Sequence, residues 1–305
     1  MFRYVFFTRH HEIRAGWRIA LFFGALSLIA MLAFLPFLGI LNGREGLTEG
    51  ILAICALLAS YVMTRFVNRK PFSAIGLGMH PSVPRELGLG LLLGFLMMAA
   101  IFIVELGLGY VSVIWRGLSP WETGMALING LSFFAVAAAA EELLFRGYVF
   151  QTLIQGITFL PAMLLMSLVF ALAHLANPHV TALSTANVGL AGVWFSFAYM
   201  KTRSLWLPMA LHFSWNFSQT TLFAFRTSGV ATGSRQLFLS VQSGPEWLTG
   251  GAFGPEGGVL ATALLIACTW YILKSKLVSV PEGIITLDSL EDLIRPGNGT
   301  REAAP

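Results

Sequence analysis

Three short stretches of an otherwise apolar chain carry groups able to move protons. They are Glu141-Glu142-Leu-Leu-Phe-Arg146, Phe170-Ala-Leu-Ala-His174 and His212-Phe-Ser-Trp-Asn216. On a helix, adjacent residues point about 100° apart, so Glu141 and Glu142 cannot share a face. Glu142 and Arg146 stand at i and i+4 with the acid first, the favourable order for an ion pair. That assigns Glu142 to Arg146 and leaves Glu141 free. A carboxyl in apolar surroundings without a cation holds its proton more tightly, which suits a general acid or base near neutral pH. Phe170 lies one turn before His174 and can pack beneath the imidazole and hold its rotamer. His212 and Asn216 are also one turn apart. Together they can bind a metal, hold a water or donate to an oxyanion.

Each stretch alone has a plainer reading. The acids could sit at the cytoplasmic interface and snorkel to water. A histidine in an apolar helix is usually a packed, hydrogen-bonded residue, and His with Asn serves as polar glue between membrane helices. Taken together, Glu141, His174, His212 and Asn216 come from three helices. One hydrated cavity explains them more economically than four unrelated accidents.

The elements that must position these groups are membrane helices. Of 305 residues, 56% are hydrophobic and 11% charged, with mean hydropathy +0.74, against about 25% charged in soluble domains. A chain of this size cannot bury so much apolar surface in water, so the bilayer must act as solvent. The fold class is therefore all-α, a polytopic helical bundle. A span needs about 20 mainly apolar residues, which gives eight: 17–41, 49–67, 86–112, 124–146, 158–176, 181–200, 204–225 and 257–274. The first is too long for a signal-peptide core and reads as a retained span. The fourth continues as an interfacial extension through Tyr148, Phe150 and Ile154.

The Lys and Arg residues set orientation rather than nucleic-acid binding. With the N-terminus inside, the cytoplasmic segments, Arg146 among them, hold fifteen and the outer ones four: Arg44, Arg116, Arg226 and Arg235. This positive-inside bias makes both termini cytoplasmic. Residues 1–276 read as one membrane domain with its motif core over 120–225, and 277–305 as a polar cytoplasmic tail whose end is disordered. The long loop 226–256, rich in Gly, Ser and Thr, lies outside. Cys55 and Cys268 lie in separate apolar runs and read as free thiols.

Other polar residues have plainer readings. Glu105 is expected to face the outer interface or pair locally, Asn177 and His179 to sit in a turn, and His10, His11 and His80 to be surface residues. The chain has no Gly-rich phosphate loop, no His-Glu-x-x-His and no Gly-x-Ser-x-Gly.

The ordered motifs Glu-Glu-x-x-x-Arg, Phe-x-x-x-His and His-x-x-x-Asn, each in an apolar span across residues 141–216, resemble the CAAX protease and bacteriocin-processing (CPBP/Abi) family of intramembrane proteases. The resemblance implies hydrolysis of a peptide bond by an activated water in a membrane-associated or lipidated, CAAX-type substrate. In eukaryotic members that reaction removes a C-terminal tripeptide from prenylated proteins. Carried over by motif, Glu141 and His174 would activate the water, and His212 and Asn216 would stabilise the oxyanion. Glu142, Arg146 and Phe170 would support the site. The family is commonly called metalloprotease. Glu141, His174 and His212 would suit Zn²⁺ with one position left for water, and a metal-free, glutamate-activated water is equally sufficient.

In a bacterial inner or plasma membrane, bacteriocin leaders or small lipidated peptides are better substrates than prenylated proteins. Two other classes share these residues: a proton-relay transporter, disfavoured by the lack of inverted repeats, and a non-catalytic immunity or interaction protein. One geometric requirement follows. His174 stands about 24 Å along its own span from residue 158, so Glu141 reaches it only if the fifth span starts deep or tilts, or if the fourth extends inward past Arg146; the apolar run from Gly147 to Ile154 favours the second.

Overall fold

The computed structural model describes residues 5–8, 12–37, 45–230 and 236–287. Arg3, Arg9, Arg44, Arg235, Arg295 and Arg301, His10 and His11, and the end of the tail lie outside them. The chain is a bundle of helices: α1 (Ala15–Phe34), α2 (Glu45–Val62), α3 (Val83–Gly107), α4 (Pro120–Phe145), α5 (Tyr148–Ile157), α6 (Phe159–Ala173), α7 (Ala182–Thr202), α8 (Trp206–Phe217) and α9 (Val259–Lys274). Four helical segments are long and apolar enough to cross a membrane: Ala15–Phe34, Leu47–Val67, Val83–Gly107 and Pro120–Ile157. The other four expected spans coincide with α6, α7, α8 and α9, which are shorter or less apolar.

Local chemistry sets the helix ends. Ser119 caps α4 through a reciprocal box: its Oγ accepts the Glu122 N–H at 3.3 Å, and Glu122 Oε2 accepts the Ser119 N–H at 2.9 Å. Pro120 then supplies the preset φ of a first helical residue. Thr181 and Ser184 cap α7 in the same way. The fourth expected span breaks at Gly147, where an added Cβ would collide with the Leu143 carbonyl oxygen. Beyond the break the chain continues past Arg146 as α5. Tyr148, Phe150 and Ile154 are not interfacial, however. All three are buried in a core shared with Phe22 of α1, Met163 of α6 and Tyr199 of α7, because α5 packs against α1 and α6.

Small residues allow the closest helix contact. Gly90 and Gly94 of α3 face α8, and a Cβ on Gly94 would lie 2.8 Å from both the Leu211 carbonyl oxygen and Ser214 Cβ. Such close approach is how membrane helices gain packing without a hydrophobic drive between them. Gly94→Leu is expected to force α3 and α8 apart and cost about 1–3 kcal/mol. Because α8 carries His212 and Asn216, the same change should also displace those side chains; a melting curve on detergent-purified protein checks the loss of stability.

Two expectations at the helix ends are corrected. The span expected to run to residue 112 stops at Gly107. Residues Val111–Trp115 instead form a strand, β1, paired antiparallel with β2 (Phe238–Gln242) in the register Val111↔Gln242 to Trp115↔Phe238. Glu105, fully buried, accepts from Gln242 Nε2 at 3.0 Å and ties this ribbon to the end of α3; it does not face the interface. His80 is not a surface residue either: its side chain is 10% exposed and its Nε2 lies 3.7 Å from Glu86. Residues beyond α9 fold back, with Lys70 Nζ donating to the Thr286 carbonyl at 3.0 Å and Leu287 N–H to Ala74 at 3.1 Å. Cys55 and Cys268 are free and buried.

Candidate active site

The three motifs meet around one cavity of about 490 Å³, lined by Glu141, His174, His212 and Asn216. Behind Glu141 lies the ion pair predicted from spacing. Arg146 Nη1 donates to Glu142 Oε1 at 3.1 Å, with the two side chains 1% and 0% exposed. Arg146 is thus buried in the bundle, at the break between α4 and α5. Its Nη2 donates to the Gly192 carbonyl of α7 at 3.2 Å, and its guanidinium carbon stands 4.6 Å and 5.0 Å from the ring centroids of Phe170 and Phe195. A desolvated cation needs such partners: a carboxylate, a carbonyl and two ring faces.

Glu142 does a second job that spacing did not reveal. The same Oε1 lies 3.0 Å from His212 Nδ1. A carboxylate oxygen accepts, so this contact puts a proton on Nδ1. His212 Nε2 then faces Glu141 Oε2 at 3.9 Å, within ion-pair range but beyond a hydrogen bond. Phe195 stacks on the His212 ring at 4.8 Å and 21°, fixing its plane. Glu141 Oε2 has no hydrogen-bond partner among the described residues, and its side chain is 27% exposed. The acid freed by helix geometry is the one that faces the cavity.

His174 ends α6. Its Nδ1 lies 2.8 Å from the Phe170 carbonyl oxygen, and a carbonyl can only accept. Nδ1 therefore carries a proton, and Nε2 is the nitrogen left for the cavity. Phe170 packs on the ring at 4.7 Å between centroids, as the i, i+4 spacing predicted. His179 lies in the following turn with φ +59°, and Asn177 lines the cavity mouth.

Several lining residues had no sequence signal. Glu256, within the glycine-rich stretch before α9, reaches the cavity. Its carboxylate accepts the Ser228 N–H, while Asn187 of α7 donates to the carbonyls of Glu256 and Gly258 at 2.8 and 2.9 Å. Burial pushes the Glu256 carboxyl above the usual carboxylate range, against the lowering effect of Ser228 and His174. Glu49 of α2 lines the cavity as well.

Among the described residues no three His, Cys, Asp or Glu side chains cluster as metal ligands. Nδ1 of each histidine is committed, to Glu142 and to the Phe170 carbonyl. What the arrangement brings together is a carboxylate oxygen without a hydrogen-bond partner among the described residues and two oriented histidine rings around one cavity.

Residues 123–218 match the family model described as Rce1-like, type II CAAX prenyl endopeptidase Rce1-like. The match starts in α4 and ends just past α8, so it includes all three motifs; α1 to α3, Glu256 and α9 lie outside it. The resemblance carried by the motifs is thus one to this family. No curated protein matches the chain.

Proposed function

We propose that this membrane protein is an intramembrane endopeptidase that hydrolyses a peptide bond in a membrane-associated or lipidated substrate, with Glu141 as general base. The observation that carries the reading is the unpartnered Oε2 of Glu141, 3.9 Å from His212 Nε2 in a cavity shared with His174 and Asn216. The family match over 123–218 supports the same reaction class.

In this reading Glu141 takes a proton from a water, and the hydroxide adds to the scissile carbonyl carbon. The carbonyl oxygen becomes an oxyanion and accepts hydrogen bonds from the Asn216 amide and from His212 Nε2–H. With Nδ1–H committed to Glu142, only the doubly protonated His212 ring can supply that second donor. Collapse breaks the C–N bond, and the proton held by Glu141 passes to the leaving amine directly or through His174 Nε2. Donors aimed at developing charge in a water-poor site do most where charge changes most.

The test is cleavage of a peptide library, including a farnesylated C-terminal peptide, by the purified protein with and without a chelator. Cleavage is expected to survive EDTA. Loss in EDTA with return on adding Zn²⁺ would overturn the metal-free form of the mechanism and leave the peptidase reading standing. Asn216→Ala is expected to lower kcat by about 10²–10³-fold, as loss of one oxyanion donor does elsewhere, with KM little changed. A rise in KM at constant kcat would assign Asn216 to substrate binding instead.

A further inference from the structure

We infer that the catalytic cavity is entered from the extracytoplasmic face, so that the substrate of the proposed peptidase is a peptide presented at the outer leaflet rather than a cytoplasmic prenylated C-terminus. The word substrate rests on the peptidase reading; the side of entry rests on packing and charge alone.

One end of the cavity is backed by a filled core and the other is lined by loops. Below Arg146 the bundle is filled by Tyr148, Phe150 and Leu205, each 0% exposed. Gln151 bolts this plug, its Nε2 donating to the Ile75 carbonyl at 2.7 Å, and Trp206 Nε1 donates to the Gly78 carbonyl at 3.1 Å. The opposite end is rimmed by loop residues: Asn177 from the α6–α7 turn, Thr227 and Ser228 beyond α8, and Glu256 before α9. All three rim segments lie at one end of the bundle. The plug belongs to the other end, with the 68–82 connection, the break after α4 and the α7–α8 turn.

Charge assigns these ends to sides. The plugged end carries Arg65, Arg69, Lys70, Arg85, Lys201, Lys274 and others, whereas among the described residues the rim end carries Arg116 and Arg226. By the positive-inside rule the plugged end is cytoplasmic. Leaving the buried Arg146 out of the count keeps this asymmetry intact. A chain approaching from the cytoplasm would have to displace a fully buried core to reach Glu141; one approaching from outside meets a polar rim and then apolar walls of Phe133, Phe134 and Trp215. That sequence of surfaces fits an extended peptide with apolar side chains next to its scissile bond.

The test is cysteine accessibility in the full chain with Cys55→Ala and Cys268→Ala. Single cysteines go at the rim (Asn177→Cys and, separately, Ser228→Cys) and at the plugged end (Lys276→Cys), and intact spheroplasts of the expression host are treated with a charged, membrane-impermeant thiosulfonate. The rim cysteines are expected to be labelled in intact spheroplasts, and Lys276→Cys only after permeabilisation. The reverse pattern overturns the inference, as does a rim that stays unlabelled in both states or a Lys276→Cys labelled in both. Should Ser228→Cys fail to fold, Asn177→Cys reads the same face. None of these outcomes depends on catalysis. Failure of the peptidase reading would show separately, as cleavage that Glu141→Gln leaves intact.

Discussion

Glu141→Gln is expected to lower kcat by about 10²–10⁴-fold, the range lost with a general base, and to melt where the wild type melts. The two halves of that expectation come from one feature. Glu141 Oε2 has no hydrogen-bond partner among the described residues and lies 3.9 Å from His212 Nε2, so the isosteric amide removes no hydrogen bond that the fold uses. It removes the ability to take a proton and one long, partly exposed charge pair, which contributes little to stability. Glu142, one residue on, is the control. Its Oε1 contacts both Arg146 at 3.1 Å and His212 at 3.0 Å, so Glu142→Gln should lose activity and melting temperature together. Side-by-side cleavage and thermal unfolding in detergent make the comparison. Unimpaired cleavage by Glu141→Gln would sink the proposed base, and loss of both activity and stability would return Glu141 to a structural role.

The contrast between these neighbours also marks how much the sequence could say. Helix periodicity separates Glu141 from Glu142 and pairs Phe170 with His174 and Glu142 with Arg146, because i and i+4 contacts are local. It could not show that Glu142 also holds His212, 70 residues away, since no periodic signal reports a contact between α4 and α8. His212 was grouped with Asn216 on their shared face, and that grouping missed what fixes the imidazole proton. Glu256 was illegible for a related reason. The glycine-rich stretch around it reads as a turn and shares in the family resemblance, but neither gives Glu256 a place in the site; what brings it to the cavity is the amide of Asn187 and the N–H of Ser228. The β1–β2 ribbon was missed because the apolar run of the third span continues through Val111–Ile114, and apolar residues alone do not distinguish the end of a helix from a short strand.

Arg146→Met should destabilise the protein by about 3–5 kcal/mol, the cost of leaving one partner of a buried pair uncompensated. The charge it leaves short of a partner is that of Glu142, fully buried, whose Oε2 has no partner among the described residues and whose Oε1 keeps only His212 Nδ1. Converting both residues to apolar ones, Glu142→Leu with Arg146→Met, removes the stranded charge, and buried pairs replaced in this way are often neutral in stability. The double variant is therefore expected to regain most of the melting temperature that Arg146→Met loses, as a positive coupling energy in a double-mutant cycle. Activity should not return with it. His212 Nδ1 would then lack its carboxylate, so nothing would stabilise the doubly protonated ring or hold its plane with Nε2–H facing the cavity. A double variant that is both stable and active would mean that the pair serves only to fill the space behind Glu141, and that His212 needs no orienting carboxylate. A double variant as unstable as Arg146→Met would mean that the guanidinium matters chiefly through the Gly192 carbonyl and the faces of Phe170 and Phe195. The melting temperatures separate these cases because only the ion pair contributes to the coupling, whereas the carbonyl and ring contacts are lost equally in the single and the double variant.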